Sequence, residues 1–202
     1  MSRNAQATRE RMLDAAHVLV MEKGFSATSV DAVLAAAAAS KGAFFHHFPT
    51  KAALGDALLE RYARGDMDHL DDLSARAERL GADPVQRLLL MVGLLAEELG
   101  GATEPPGCMF ASFLYEREVV GDTGRALIAE SMLAWRERIG GMISAAARHR
   151  PPARAIDPDA LADGLLTTVE GAFVLARAVH DPGVVRAQLS LYREHLELLF
   201  GD

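Results

Sequence analysis

The sequence predicts an all-α protein of about nine helices: an N-terminal three-helix bundle with a helix-turn-helix, then a larger helical region. Apolar residues recur three and four apart along every long segment, and no segment reads as a strand. Glycine and proline clusters fall between those segments, where they break helices. Half of the 202 residues are hydrophobic, enough for a substantial core.

The first helix is expected from Thr8 to about Lys23, with Met12, Leu13, Ala16, Leu19 and Val20 inward and Gly24 as its stop. Thr28 and Asp31 fit a capping box, so a second helix starts near Ser29 and turns Val30, Val33 and Leu34 to the core. The alanines that follow add helix propensity with little bulk. Ser40 caps a third helix, Lys41 to about His47, which Pro49 ends by biasing Phe48 out of the α region. Thr50 caps a long fourth helix, Lys51 to roughly Leu80. After Gly81 and Pro84 a helix runs to about Leu99, and Gly100 to Gly107, GGATEPPG, is a loop. Further helices are expected over Cys108 to Glu118, Thr123 to about His149, Asp159 to about Val179 and Val184 to Phe200. Their breaks lie at Gly121, Pro151-Pro152 and Asp181-Pro182-Gly183.

In the third helix Phe44 and Phe48 share one face, which leaves Lys41, Gly42, Ala43, Phe45, His46 and His47 around the rest. Small residues at its start would let the helix N-terminus approach base edges in a major groove. Three motifs carry a family resemblance: TRERMLDAA at Thr8 to Ala16, EKGFSATSV at Glu22 to Val30, and SKGAFFHHFPTK at Ser40 to Lys51. In this order and spacing, roughly the first 60 residues resemble the DNA-binding domain of the TetR family of transcriptional regulators. The rest of the chain resembles that family in helical pattern only.

The resemblance implies a helix-turn-helix DNA-binding domain over residues 1–50 and a helical effector-binding and dimerisation domain over 51–202. It implies a regulator, more a repressor than an activator, released from double-stranded operator DNA by a small molecule. DNA contacts are assigned to Thr28, Ser29, Ser40, Lys41, Gly42, Ala43, Phe45, His46, His47, Thr50 and Lys51. Two positions depart from the family pattern: Ala38 stands where the turn usually has glycine, and Phe45 where a tyrosine often touches a phosphate. An alanine there either accepts positive φ or uses another turn.

The net charge of −7 is unevenly spread. Residues 1–51 hold six Lys/Arg and four acids, a balance of +2, so the remainder carries −9. All three lysines, Lys23, Lys41 and Lys51, lie in this first quarter. Phosphate contact is therefore expected at the N-terminal region and not on the acidic remainder. The single cysteine excludes an intramolecular disulfide, and MSRNAQATRERMLDAA lacks the apolar core of a signal peptide, so a cytoplasmic location and no membrane partner are expected.

The last two helices carry heptad-like seams: Leu161, Leu165, Thr168, Ala172, Leu175 and Val179, then Val185, Leu189, Tyr192, Leu196 and Leu199. Gly164, Gly171 and Ala176 beside the first would admit another helix closely. One reading turns both seams to their own core; the other, implied by the resemblance, makes them a homodimer's four-helix bundle. The resemblance also implies an effector pocket, for which Cys108, Met109, Phe113, Trp135, Glu170, Phe173 and Arg177 offer apolar bulk with a few polar groups.

Three other groupings read more simply. His46 and His47 are adjacent on a helix and diverge by about 100°, which suits DNA contact better than a shared metal. Asp66, Asp68, His69, Asp71 and Asp72 read as a solvated acidic face. Cys108 reads as a buried thiol, with an electrophile- or redox-sensing repressor as the alternative. No cofactor and no metal site is expected. An enzyme is disfavoured because no phosphate loop, nucleophile elbow, paired Cys set or H-E-x-x-H occurs, and the remaining alternative is a helical scaffold without DNA binding.

Overall fold

The computed structural model describes residues 3–116 and 121–201. Among these there are nine helices and no strand: α1 Arg3–Lys23, α2 Val30–Ala37, α3 Lys41–His47, α4 Lys51–Leu80, α5 Pro84–Gly100, α6 Met109–Leu114, α7 Asp122–His149, α8 Pro158–Val179 and α9 Gly183–Phe200. They form two compact units: Met1–Gly65 with Cys108–Glu130, and Asp66–Gly107 with Ser131–Asp202. Packing thus groups α6 and the start of α7 with the first helices, whereas the motif-based division falls at residue 50.

In the first unit, Met12, Leu13, Ala16 and Val20 of α1 meet a core that includes Phe25, Val33, Phe44, Phe48, Leu54, Leu58, Phe110 and Phe113, all buried. Helix α1 starts before Thr8 because Ala5, Gln6 and Ala7 are good helix formers, and Gln6 Nε2 donates to Glu10 Oε1 one turn on at 2.9 Å. The expected capping box is corrected. Ser29 is the N-cap of α2, accepting from the Ala32 N–H at 3.1 Å, while Thr28 is buried and its hydroxyl donates to the Gly24 carbonyl at 2.8 Å. The carbonyls at the end of α1 needed a donor, and Thr28 supplies one.

Helix α6 ends at Leu114, short of the expected Glu118; Arg117 and Glu118 lie outside the described residues. In the second unit α9 packs most extensively against α5 and then α8. Asp83 before Pro84 caps α5, and Asp157 before Pro158 caps α8 one residue ahead of the expected start.

Candidate nucleic-acid interface

The turn between α2 and α3 is built on Ala38, whose φ of 48° and ψ of 48° place it in the left-handed region. Of the two routes open to an alanine here, this chain takes the strained one. The Ala39 N–H donates to Leu34 O at 3.0 Å, closing α2, and Arg11 Nε donates to Ala37 O at 3.3 Å, placing a cation at the negative helix end. The strain costs about 1–2 kcal/mol and is held by this closure.

Ser40 caps α3 by accepting from the Ala43 N–H at 3.2 Å. Phe44 and Phe48 are buried as expected, and the Arg9 guanidinium lies 5.4 Å from the Phe48 ring centroid. Lys41, Gly42, Phe45 and His46 are exposed, with Ala43 and His47 half-buried. Phe45 is 49% exposed although it meets Phe44 edge-on at 5.3 Å, so a large ring faces outward without a core reason. His47 Nδ1 is buried without a hydrogen-bond partner, and burial, then the neighbouring His46 and Arg9, lowers the His47 pKa. The shift favours the neutral ring.

Ser29, Ser40 and Thr50 are exposed N-caps, the last accepting from the Ala53 N–H at 3.0 Å. Their helix starts suit phosphate. Thr28 leaves the set of contact candidates because its hydroxyl is enclosed. Lys51 is half-buried, its ammonium donating to Ser26 O at 3.0 Å and lying 4.7 Å over the Phe25 ring. Sequence reasoning missed Glu116, which reaches this same turn: its carboxylate accepts from the Phe25 N–H at 2.8 Å, the Ser26 N–H at 2.6 Å and the Ser26 hydroxyl. No local motif signals a partner 90 residues away.

The effector candidates divide between the units. Cys108, Met109 and Phe113 belong to the first and are buried, with Phe113 5.0 Å from Phe25 in that core. Trp135, Glu170, Phe173 and Arg177 belong to the second. Trp135 and Phe173 are buried, Glu170 is half-buried and Arg177 exposed. The Trp135 indole donates to Asp66 at 2.8 Å, and burial pushes the Asp66 pKa up, offset in part by that bond and by His69.

Asp66 is thus not part of a solvated face. Asp71 pairs with Arg138 at 2.7 Å, Asp72 with Arg76 at 3.5 Å, and His69 with Glu98 at 3.5 Å. Among the described residues no group of His, Cys, Asp and Glu could hold a metal. An open groove of about 670 Å³ in the second unit is lined instead by residues such as Met67, Leu70, Glu137, Arg138 and Met142.

The seam assignment is also corrected. Leu165, Ala172, Val185, Leu189, Leu196 and Leu199 are buried within their own unit, as is Ala176, and Leu161, Thr168 and Tyr192 are half-buried. The Tyr192 hydroxyl donates to Leu161 O at 2.5 Å, and burial raises its pKa to about 12. Only Leu175 and Val179 of the expected seams are exposed, at 47% and 54%. Val174 of α8 and Leu191 and Leu198 of α9 are exposed as well, and a Cβ at Gly171 would meet nothing within 4 Å.

No helix among the described residues is long and apolar enough to cross a membrane. Residues 12–58 match the family described as "Bacterial regulatory proteins, tetR family", and residues 84–190 match "Tetracyclin repressor-like, C-terminal domain". The chain is 27% identical over 192 residues to the transcriptional regulator AcuR of Cereibacter sphaeroides, covering 95% of this chain and 86% of that protein. It is 26% identical over 166 residues to the HTH-type transcriptional repressor DhaR of a Mycobacterium species, covering 82% and 80% respectively. The crystal structure of regulatory protein TetR from Rhodobacter sphaeroides superposes with a TM-score of 0.73 at 27% identity, over 92% of this chain and 97% of that one. Both halves of the sequence, and the fold that joins them, agree: the chain belongs to the tetR family of bacterial regulatory proteins, DNA-binding transcriptional regulators and not a family of enzymes.

Proposed function

We propose that the chain is a homodimeric repressor, without catalytic activity of its own, that binds operator DNA through α3 and is released by a small-molecule effector taken up in its C-terminal domain. The observation that carries this reading is the outward surface of α3, where Lys41, Gly42, Phe45 and His46 stand free while Phe44 and Phe48 fix the helix from behind. Small residues at its start suit close approach to base edges, and Lys41 suits a guanine edge. Ser29, Ser40, Thr50 and Lys51 border the phosphates in this reading, with Ala43 and His47 at the margin. The repressor assignment follows the relative named as one.

For the second copy we propose the exposed face of Val174, Leu175, Val179, Leu191 and Leu198 as the interface. A two-fold dimer places two recognition helices about 34–36 Å apart, on successive major grooves. The effector is proposed to contact Trp135 and Phe173 of the second unit, with Glu170 and Arg177 as polar partners. It releases DNA only by binding better to a state with misplaced reading heads.

The test is selection of duplexes from a random pool by the wild-type chain, followed by Lys41→Ala on the winners. Enrichment of a two-fold symmetric sequence, with Lys41→Ala changing the preferred base at one position per half-site, is expected. Enrichment of no sequence would overturn the reading.

A further inference from the structure

We propose that Glu116 is a positioning residue for DNA recognition: its carboxylate grips the turn between α1 and α2 and, through Ser26, sets Lys51 at the start of α4. This rests on the reading of the first unit as the DNA-binding unit.

One carboxylate collects three donors here. Glu116 Oε1 takes the Phe25 N–H at 2.8 Å, and Oε2 takes the Ser26 N–H at 2.6 Å together with the Ser26 hydroxyl. Hydrogen bonds to an ionised acceptor are stronger than neutral ones. On its other side Ser26 offers its carbonyl to Lys51 Nζ at 3.0 Å, so the turn is held between an acid and a lysine. The Lys51 ammonium also rests on the Phe25 ring. That ring is wedged against Gly55 of α4, where a Cβ would come within 2.8 Å of its Cζ, and against Phe113 of α6.

The backbone is shaped for the grip. Gly24 has φ of +84°, and a Cβ there would lie 2.5 Å from Glu116 Oε1. The position therefore excludes side chains twice, by dihedral and by the carboxylate it must admit. Ser29 caps α2 three residues after Ser26, and Lys51 and Thr50 open α4. Holding Ser26 thus fixes the start of both helices that border the proposed phosphate contacts. The acid itself arrives on a segment that enters the first unit at Cys108, directly after Gly107 of the second.

Removing an acidic group from a DNA-binding surface ordinarily tightens DNA binding, because repulsion of phosphate is lost. A positioning role predicts the opposite sign, so the two readings separate cleanly. The experiment measures affinity for a duplex that wild type selects from a random pool, together with amide hydrogen exchange at Phe25 and Ser26. Glu116→Ala is expected to raise Kd about tenfold and to speed exchange at both amides, with Glu116→Gln intermediate because its amide oxygen still accepts. Asp56→Asn, an exposed acid on α4, is expected to bind as tightly as wild type or tighter. Should Glu116→Ala fail to fold, Glu116→Gln decides by the same two readouts. Unchanged or tighter binding by the Glu116 variants, or weaker binding with both amides still protected, overturns the proposal. If wild type selects no duplex, the DNA-binding reading fails first and the proposal falls with it.

Discussion

Helices α3 and α9 both carry apolar side chains on more than one face, yet they differ in how far the inward face can be told from the sequence. In α3 two aromatics four apart are buried, and the lysine and His46 mark the outside. Only Phe45 breaks the pattern, and an exposed aromatic on a short polar face is itself a functional signal. In α9 the regular stripe through Val185, Leu189, Leu196 and Leu199 fills its own core, while a sparser stripe through Leu191 and Leu198 is 58% and 78% exposed. A heptad spacing states that a helix packs; it does not state against what. The denser stripe goes to the intramolecular core, because folding a single chain needs the larger burial.

Charge placed on each stripe separates the two faces of α9 most strongly. Leu189→Glu puts an unpaired carboxylate at a fully buried site and is expected to cost at least about 4 kcal/mol, abolishing the cooperative unfolding transition followed by circular dichroism. Leu198→Glu is expected to keep the helical spectrum of wild type. Equal spectra for the two variants would mean the faces are misassigned.

Within α3 the same contrast runs between neighbours. Phe44→Ala is expected to lose about 3–5 kcal/mol in urea unfolding, since it empties a core site. Phe45→Ala should stay within about 0.5 kcal/mol of wild type in stability yet weaken binding to the selected duplex about tenfold. Loss of stability with affinity intact in Phe45→Ala would make that ring structural.

A smaller gain is expected at the turn. Ala38→Gly relieves a left-handed alanine and should stabilise the chain by about 1 kcal/mol, less the extra chain entropy of glycine. A midpoint below that of wild type would show that the turn is not strained.

Smallest is the pH effect at Asp66. Its pKa is raised, first by burial, so the carboxylate is less favourable in the fold than in the unfolded chain. That cost is present in full above the raised pKa and is relieved as pH falls through it towards the ordinary value of 3.8. Asp66→Asn keeps an acceptor for the Trp135 indole and removes the titration. Its melting temperature should equal or exceed wild type at neutral pH and lose the relative gain on acidification; a lower value at neutral pH would contradict the burial assignment.

The all-α class, the helix order and the caps at Ser40 and Thr50 were legible because each rests on local chemistry: periodicity, a hydroxyl at an N-cap, a proline at a stop. The Thr28 cap misled because Thr28 and Ser29 are both hydroxyl residues, and tertiary burial decided between them. Within the acidic run Asp68, Asp71 and Asp72 are exposed as read, and only Asp66 misled, since its partner Trp135 lies 69 residues away. Glu116 was invisible in sequence because its partners, two backbone amides and the Ser26 hydroxyl, lie on a distant turn. The apolar stripes of α8 and α9 were legible as periodicity, but which of them faces the chain's own core was not.

The most direct test of the dimeric DNA-binding reading is sedimentation equilibrium of Leu191→Glu/Leu198→Glu beside wild type, with and without the selected duplex. Wild type is expected to sediment as a dimer, and the variant as a folded monomer whose affinity for the two-fold site falls at least about 100-fold, since the second half-site contact is no longer tethered to the first. A variant that remains a dimer and holds the duplex as tightly as wild type would contradict it.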